Sequence, residues 1–191
     1  PIPEVVKEVR SLHHRLVMFN DDNIIGNPSF SKELLQALLP LKKRWVGQVS
    51  LSGLKEVENL SLLAKSGCIG LLIGFESLSR NNLIQSHKYQ NDPAEYGEII
   101  DALHRHGITI WASFIFGFDE DDPSVFEETV AFAIRAKLFS VVFALLTPYP
   151  ETSFYQRMLK EGRLVQDKWW LLERPEASAP HFVPKKMSRD M

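Results

Sequence analysis

At 191 residues, with 45% hydrophobic and 24% charged positions, the chain has the makings of one globular domain with a sizeable core and little room for a second. A formal net charge of −2 supplies no global basic field for nucleic acid or an anionic membrane, and charges interrupt every apolar run before it reaches the length of a membrane span. The single cysteine, Cys68, excludes an internal disulfide and fits a reducing, cytoplasmic setting, and no signal-peptide pattern opens the 191 residues.

In chain order, Val5, Val9, Leu12 and His13 lie at helical spacing and predict a first helix. Residues 15–20 (RLVMFN) read as a short buried strand. Residues 31–39 read as a helix with Leu34, Leu35, Leu38 and Leu39 on one side, and residues 45–51 alternate as a strand carrying Gln48 and Ser50 on one face. A helix over 55–66, with Val57, Leu60 and Ala64 inward, stops at Gly67. Residues 68–75 form the next strand. Asp92 caps a following helix, with Pro93 at its first position, Glu95 in a capping-box-like place, and Tyr96, Ile99, Ile100 and Leu103 inward. Gly107 ends it. A strand over 108–116 precedes a helix opened by Asp122-Pro123, with Phe126, Val130, Ala133 and Ile134 inward. The fifth strand is 140–146, and Phe154, Tyr155, Met158 and Leu159 stripe the last clear helix.

Five strands, each followed by a helix, predict an α/β fold of parallel βαβ units: a partial (β/α) barrel of the TIM type over residues 1–165. An irregular extension packed by its aromatics occupies residues 166–191. In such folds ligands bind at the C-terminal ends of the strands, and those ends are where polar residues collect. Asp21-Asp22-Asn23, Ser50 with Ser52, Glu76-Ser77, Gly117 to Glu120, and Thr147-Pro148 follow the five strands in turn. Helix capping alone explains some of them, Asp122 above all. Asp21, Asp22 and Glu76 would place three carboxylates on one rim, but their spacing has no diagnostic metal pattern, and no metal ligand is assigned. The paired histidines His13-His14 and His104 with His106 read as surface residues, and Cys68 as a small buried hydrophobe. Gly117-Phe118-Asp119 lacks the glycine spacing of a dinucleotide fingerprint or a P-loop.

Taken in order, these segments resemble a known family. Phe19-Asn20-Asp21-Asp22-Asn23, Gly74-Phe75-Glu76-Ser77, Gly107-Ile108 leading to Phe114-Ile115-Phe116-Gly117-Phe118-Asp119, and Leu146-Thr147-Pro148-Tyr149-Pro150-Glu151-Thr152 look like successive strand-end motifs of radical S-adenosylmethionine enzymes, of the type that carries a cobalamin-binding domain. The resemblance implies a six-stranded partial barrel. It also implies a four-iron four-sulfur cluster on cysteines spaced CxxxCxxC, reductive cleavage of S-adenosylmethionine, and radical-based methylation or oxidative cyclisation of a small molecule such as a tetrapyrrole or an isoprenoid lipid. Residue by residue it places Asp21, Asp22 and Asn23 toward the methionine end of the cofactor, Glu76 and Ser77 near its ribose, and Gly117, Phe118 and Pro148 beside its adenine, with Ser50 a further cofactor-binding candidate. No residue is assigned to catalysis itself.

The departures carry their own expectations. No CxxxCxxC is present, so the motif and the first strand are expected upstream of Pro1, and the chain by itself is expected to be inactive and to hold no cofactor completely. Cobalamin use stays open. Glu151 stands where the family has glycine, so that turn is expected to differ. Two other readings remain: a non-catalytic binding protein derived from the barrel, and an unrelated α/β-barrel hydrolase or lyase using Asp22 and Glu76 as an acid–base pair. An open half-barrel is also expected to self-associate through an exposed sheet edge.

Overall fold

The computed structural model describes residues 1–56, 60–172 and 180–188. Helix α1 (Ile2–Ser11) leads into strand β1 (Leu16–Met18) and helix α2 (Pro28–Leu38). Strand β2 (Arg44–Val49) is followed by the short helices α3 (Leu51–Glu56) and α4 (Leu60–Lys65). Strand β3 (Cys68–Glu76) precedes α5 (Arg80–Gln85) and α6 (Tyr96–Arg105), strand β4 (Thr109–Phe116) precedes α7 (Ser124–Arg135), and strand β5 (Ser140–Leu145) precedes α8 (Ser153–Lys160). All four pairings are parallel, and the strands lie in the order β1-β2-β3-β4-β5. A doubly wound sheet would reverse direction at a switch point. Here the order runs straight through, as in a barrel, and the result is the expected partial barrel curled around an open lumen.

The pleat separates two faces. Val17, Trp45, Val49, Leu71, Ile73, Phe75, Ile110, Ala112 and Phe114 are buried against Leu34, Leu35, Leu38, Leu63, Tyr96, Ile100 and Leu103 of the helices. Alternate residues such as Val46, Leu72 and Trp111 face the concave side. Gly67, which ends α4, takes a φ of +101°, and a Cβ there would stand 1.9 Å from the Lys43 carbonyl oxygen. Only glycine fits that crossing.

Several expectations are corrected. β1 is an edge strand, so only Val17 of its three residues is buried, while Leu16 and Met18 are 54% and 71% exposed. Leu39 lies in a 3₁₀ turn beyond α2 and is exposed, because α2 starts at the Asn27 cap with Pro28 in its first turn. The helical segment after β2 begins at Leu51 rather than at 55, and Val57 lies outside the described residues. Asp92 caps a 3₁₀ turn before α6 rather than α6 itself, and Glu95 pairs with Lys55 instead of closing a capping box. On α7 the buried positions are Thr129 and Ala133, whereas Val130 and Ile134 are 44% and 72% exposed. Leu159 is likewise exposed on α8, where Tyr155 and Met158 carry the burial.

The chain beyond α8 folds back on the barrel. Leu164 and Phe182 form an antiparallel bridge, Phe182 is buried edge-on to Phe154, and Trp169 stacks on His181 with centroids 3.9 Å apart. The Trp169 indole N–H donates to the Pro148 carbonyl at 3.0 Å.

Candidate functional site

The exits of β3, β4 and β5 are shaped by backbone irregularity. Between Gly74 and Glu76 the β3–β4 register shifts, and Phe75 has no partner on β4 in that register. Asn91 donates its amide to Gly74 O at 3.1 Å and Phe75 O at 3.2 Å, and the Tyr96 hydroxyl donates to Phe75 O at 2.7 Å. Held by these side chains, Glu76 takes a φ of +68°, an uncommon conformation for a residue with a Cβ. Its carboxylate meets the Lys88 ammonium at 3.4 Å. Burial pushes the Tyr96 phenol upward, with the Glu76 charge adding to it, so Tyr96 stays a donor.

At the β4 exit, Gly117 has a φ of +104°, and its N–H and that of Phe118 both donate to Asp121 Oδ2, at 2.9 and 3.0 Å. Burial pushes the Asp121 carboxyl up, and these amides with the Asn82 amide draw it back only in part. Asp119, which follows Phe118, is 6% exposed and faces Arg163 at 2.6 Å, Lys185 at 3.5 Å and Arg157 at 3.7 Å. Burial raises its pKa, but the Arg163 hydrogen bond and the surrounding cations outweigh burial and hold it below the ordinary carboxylate range.

These elements enclose a cleft of about 470 Å³. Glu76, Lys88, Phe118, Leu146, Thr147 and Arg157 are among its lining residues. A Cβ at Gly117 would lie 3.7 Å from that of Leu146, one of the lining residues. Ser77 is buried, accepting from Ser79 N at 3.1 Å and Asn82 at 3.3 Å, so its hydroxyl serves the turn. Pro148 is buried under Trp169, and its neighbour Thr147 lines the cleft.

Asp21 and Asp22 line a second hollow of about 420 Å³ over the concave faces of β1 and β2, with Met18, Gln48, Leu72 and Trp111. Asn23 and Ser50 tie the two strand exits together: the Asn23 amide donates to Ser50 Oγ at 2.9 Å, and Ser50 N donates to Asn23 Oδ1 at 3.2 Å. The expected convergence of Asp21, Asp22 and Glu76 is therefore corrected. They belong to different hollows, and among the described residues no group of three carboxylate, histidine or cysteine side chains is placed to hold a metal ion.

Sequence reasoning missed Asp121, Asn82 and Asn91. Each looks like a loop residue in the sequence, and each is buried in hydrogen bonds that shape the rim. Cys68, by contrast, is the buried hydrophobe expected: it is 4% exposed, and burial pushes its thiol up to about 12. It lies at the opposite end of β3 from the rim, and one protonated thiol does not fit an iron–sulfur cluster that needs several thiolates. Glu151 adopts a φ of +63°, so this turn takes the glycine-favouring backbone despite its side chain.

The chain is similar to known proteins along most of its length. It is 36% identical over 189 residues to bacteriochlorophyllide d C-12(1)-methyltransferase of Chlorobaculum tepidum, covering 96% of this chain and 40% of that protein. It is 29% identical over 157 residues to hopanoid C-2 methylase of Rhodopseudomonas palustris, covering 79% of this chain and 30% of that protein. The chain thus spans well under half the length of these curated relatives. Among solved structures, the radical S-adenosylmethionine methyltransferase TsrM from Kitasatospora setae, with cobalamin and a [4Fe-4S] cluster bound, superposes with a TM-score of 0.69 at 18% identity over 84% of this chain and 34% of that one, which is likeness of fold. No protein-family model matches. Over most of its length the chain is thus similar in sequence to methyltransferases, and its fold is that of the barrel in a radical S-adenosylmethionine methyltransferase.

Proposed function

We propose that these 191 residues are the cofactor-cradling part of a barrel in a cytoplasmic radical S-adenosylmethionine enzyme. The enzyme would use that cofactor for radical-based methylation, or oxidative cyclisation, of a small molecule. The observation that carries this reading is the cleft at the joint exits of β3, β4 and β5. It offers a carboxylate for ribose hydroxyls at Glu76 and apolar walls for a planar base at Phe118 and Leu146, with the left-handed Gly117 turn directly before Phe118. Asp21 and Asp22, with Asn23 and Ser50 beneath them, would face the methionine end across the lumen.

An iron–sulfur cluster bound to the whole protein would supply electrons for cofactor cleavage; Cys68 does not fit as its ligand, so none of these residues would hold it. The residues present bind and orient the adenosyl group and exclude water from it. Names of relatives favour methylation, with a chlorophyll-type tetrapyrrole or a hopanoid lipid as the model for substrate class. Cobalamin enters as the methyl carrier by the same analogy.

The test uses the full-length protein containing this chain, reconstituted anaerobically with iron and sulfide. Consumption of S-adenosylmethionine under reducing conditions is the expected result, with Glu76→Gln raising KM for it about tenfold, the worth of one charge-assisted hydrogen bond. Turnover that is indifferent to iron, or a Glu76→Gln enzyme with unchanged KM, would contradict it.

A further inference from the structure

Two polar side chains at the rim are buried without touching the cleft. Asn82, on α5, is 0% exposed, and Asp121 is 3% exposed. The Asn82 amide nitrogen donates to Asp121 Oδ1 at 2.6 Å and to Ser77 Oγ at 3.3 Å. Asp121 Oδ2 accepts the N–H groups of Gly117 and Phe118. Ser77, Asn82, Asp121, Gly117 and Phe118 therefore form one run of hydrogen bonds from the β3 exit, next to Glu76, to the β4 exit. The Asn82 side-chain oxygen Oδ1 has no hydrogen-bond partner among the described residues. An unpaired buried acceptor is unfavourable, and an aliphatic side chain would avoid it. The same aliphatic side chain would strip the Asp121 carboxylate of its side-chain donor, leaving a charge-bearing group short of partners in the interior. Asparagine is explained by what its nitrogen holds.

We infer that Asn82 is a positioning residue: acting through Asp121, it locks the Gly117–Phe118 turn to the Ser77–Glu76 turn, so that the two walls of the cleft keep one spacing. This deepens the cofactor-site reading and depends on it only for the effect on affinity. The geometric part stands alone.

The reciprocal exchange Asn82→Asp with Asp121→Asn provides the test. With both changes, the amide at 121 can donate to the carboxylate at 82 while its oxygen still accepts from Gly117 and Phe118. Amide hydrogen exchange is measured for wild type, Asn82→Leu, Asn82→Asp and the double variant, alongside S-adenosylmethionine affinity by titration calorimetry. Asn82→Leu and Asn82→Asp are expected to speed exchange at Gly117 and Phe118 about tenfold or more, with Ile110 and Ala112 of β4 unchanged, and to weaken binding by a similar factor. The double variant is expected to restore both. Exchange that rises equally over the whole sheet, or a double variant no better than Asn82→Asp, would overturn the inference. A wild-type protein that fails to bind S-adenosylmethionine would sink the cofactor reading, while the exchange pattern would still decide the role of Asn82.

Discussion

At the scale of single residues, the rim is governed by how each carboxylate is solvated. Burial raises the folded-state pKa of Asp121 above its unfolded value, so its contribution to stability is fullest below the ordinary aspartate range and is lost as pH rises through the folded value. Urea midpoints of wild type and Asp121→Asn, compared from about pH 4 upward, are expected to shift against wild type as pH rises. A gap that is flat in pH would place the Asp121 carboxyl in ordinary solvent. Asp121 also marks the limit of what the sequence discloses. It sits in the run Asp119-Glu120-Asp121-Asp122, where Glu120 and Asp122 are exposed and Asp119 and Asp121 are buried, and nothing in residue type separates the two kinds. Glu76 was legible because Gly74-Phe75-Glu76-Ser77 follows the apolar run Leu71-Leu72-Ile73, which puts a carboxylate where the strand leaves the core. The Asn91 and Tyr96 bonds that hold its left-handed backbone span sequence separations no local pattern encodes.

At the scale of elements, the five strands were legible because their apolar runs are short and bounded by glycine, proline and capping residues. The helix faces were less so. Val130 and Ile134 fit a helical stripe as well as Ala133 does, yet the stripe that meets the sheet runs through Phe126, Thr129, Phe132 and Ala133. Periodicity identifies an apolar face without saying how wide the covered part is. The segment after α8 is held by ion pairs as well as rings. Arg163 joins Asp119 with only 13% side-chain exposure, and its Nε donates to Val183 O at 2.8 Å. Arg163→Ala is expected to destabilise the protein by about 3 kcal/mol, since it leaves a buried carboxylate short of its main partner. Chemical denaturation checks this; a loss near that of a surface pair, under about 1 kcal/mol, would contradict it. Because the folded-state pKa of Asp119 is depressed, its contribution is present above the ordinary carboxylate range and lost as pH falls through the folded value. Acid is therefore expected to loosen residues 180–188 before the sheet, as a fall in Trp169 fluorescence anisotropy ahead of circular dichroism.

At the scale of the whole molecule, a sheet of five strands in barrel order has two edges and a concave face that it does not fill by itself. Leu16 and Met18 are open on the β1 side, and Ile134, Phe139 and Phe143 are 72%, 65% and 47% exposed around α7 and β5. Exposed edges and apolar patches of this kind invite pairing with another chain. The isolated 191-residue chain is expected to self-associate with rising concentration in sedimentation velocity, and Met18→Lys to shift it toward monomer. A wild-type chain that stays monomeric throughout would contradict that.

On the function proposed above, the joint exits of β3, β4 and β5 would receive the adenosyl group. The most direct test is an amide-resolved NMR titration of this chain with S-adenosylmethionine into the millimolar range. The account predicts shifts concentrated at Glu76–Ser77, Gly117–Phe118 and Leu146–Thr147, with smaller ones at Asp21–Asn23. Saturating ligand that leaves these amides unmoved, or that moves only residues outside the two hollows, would contradict it.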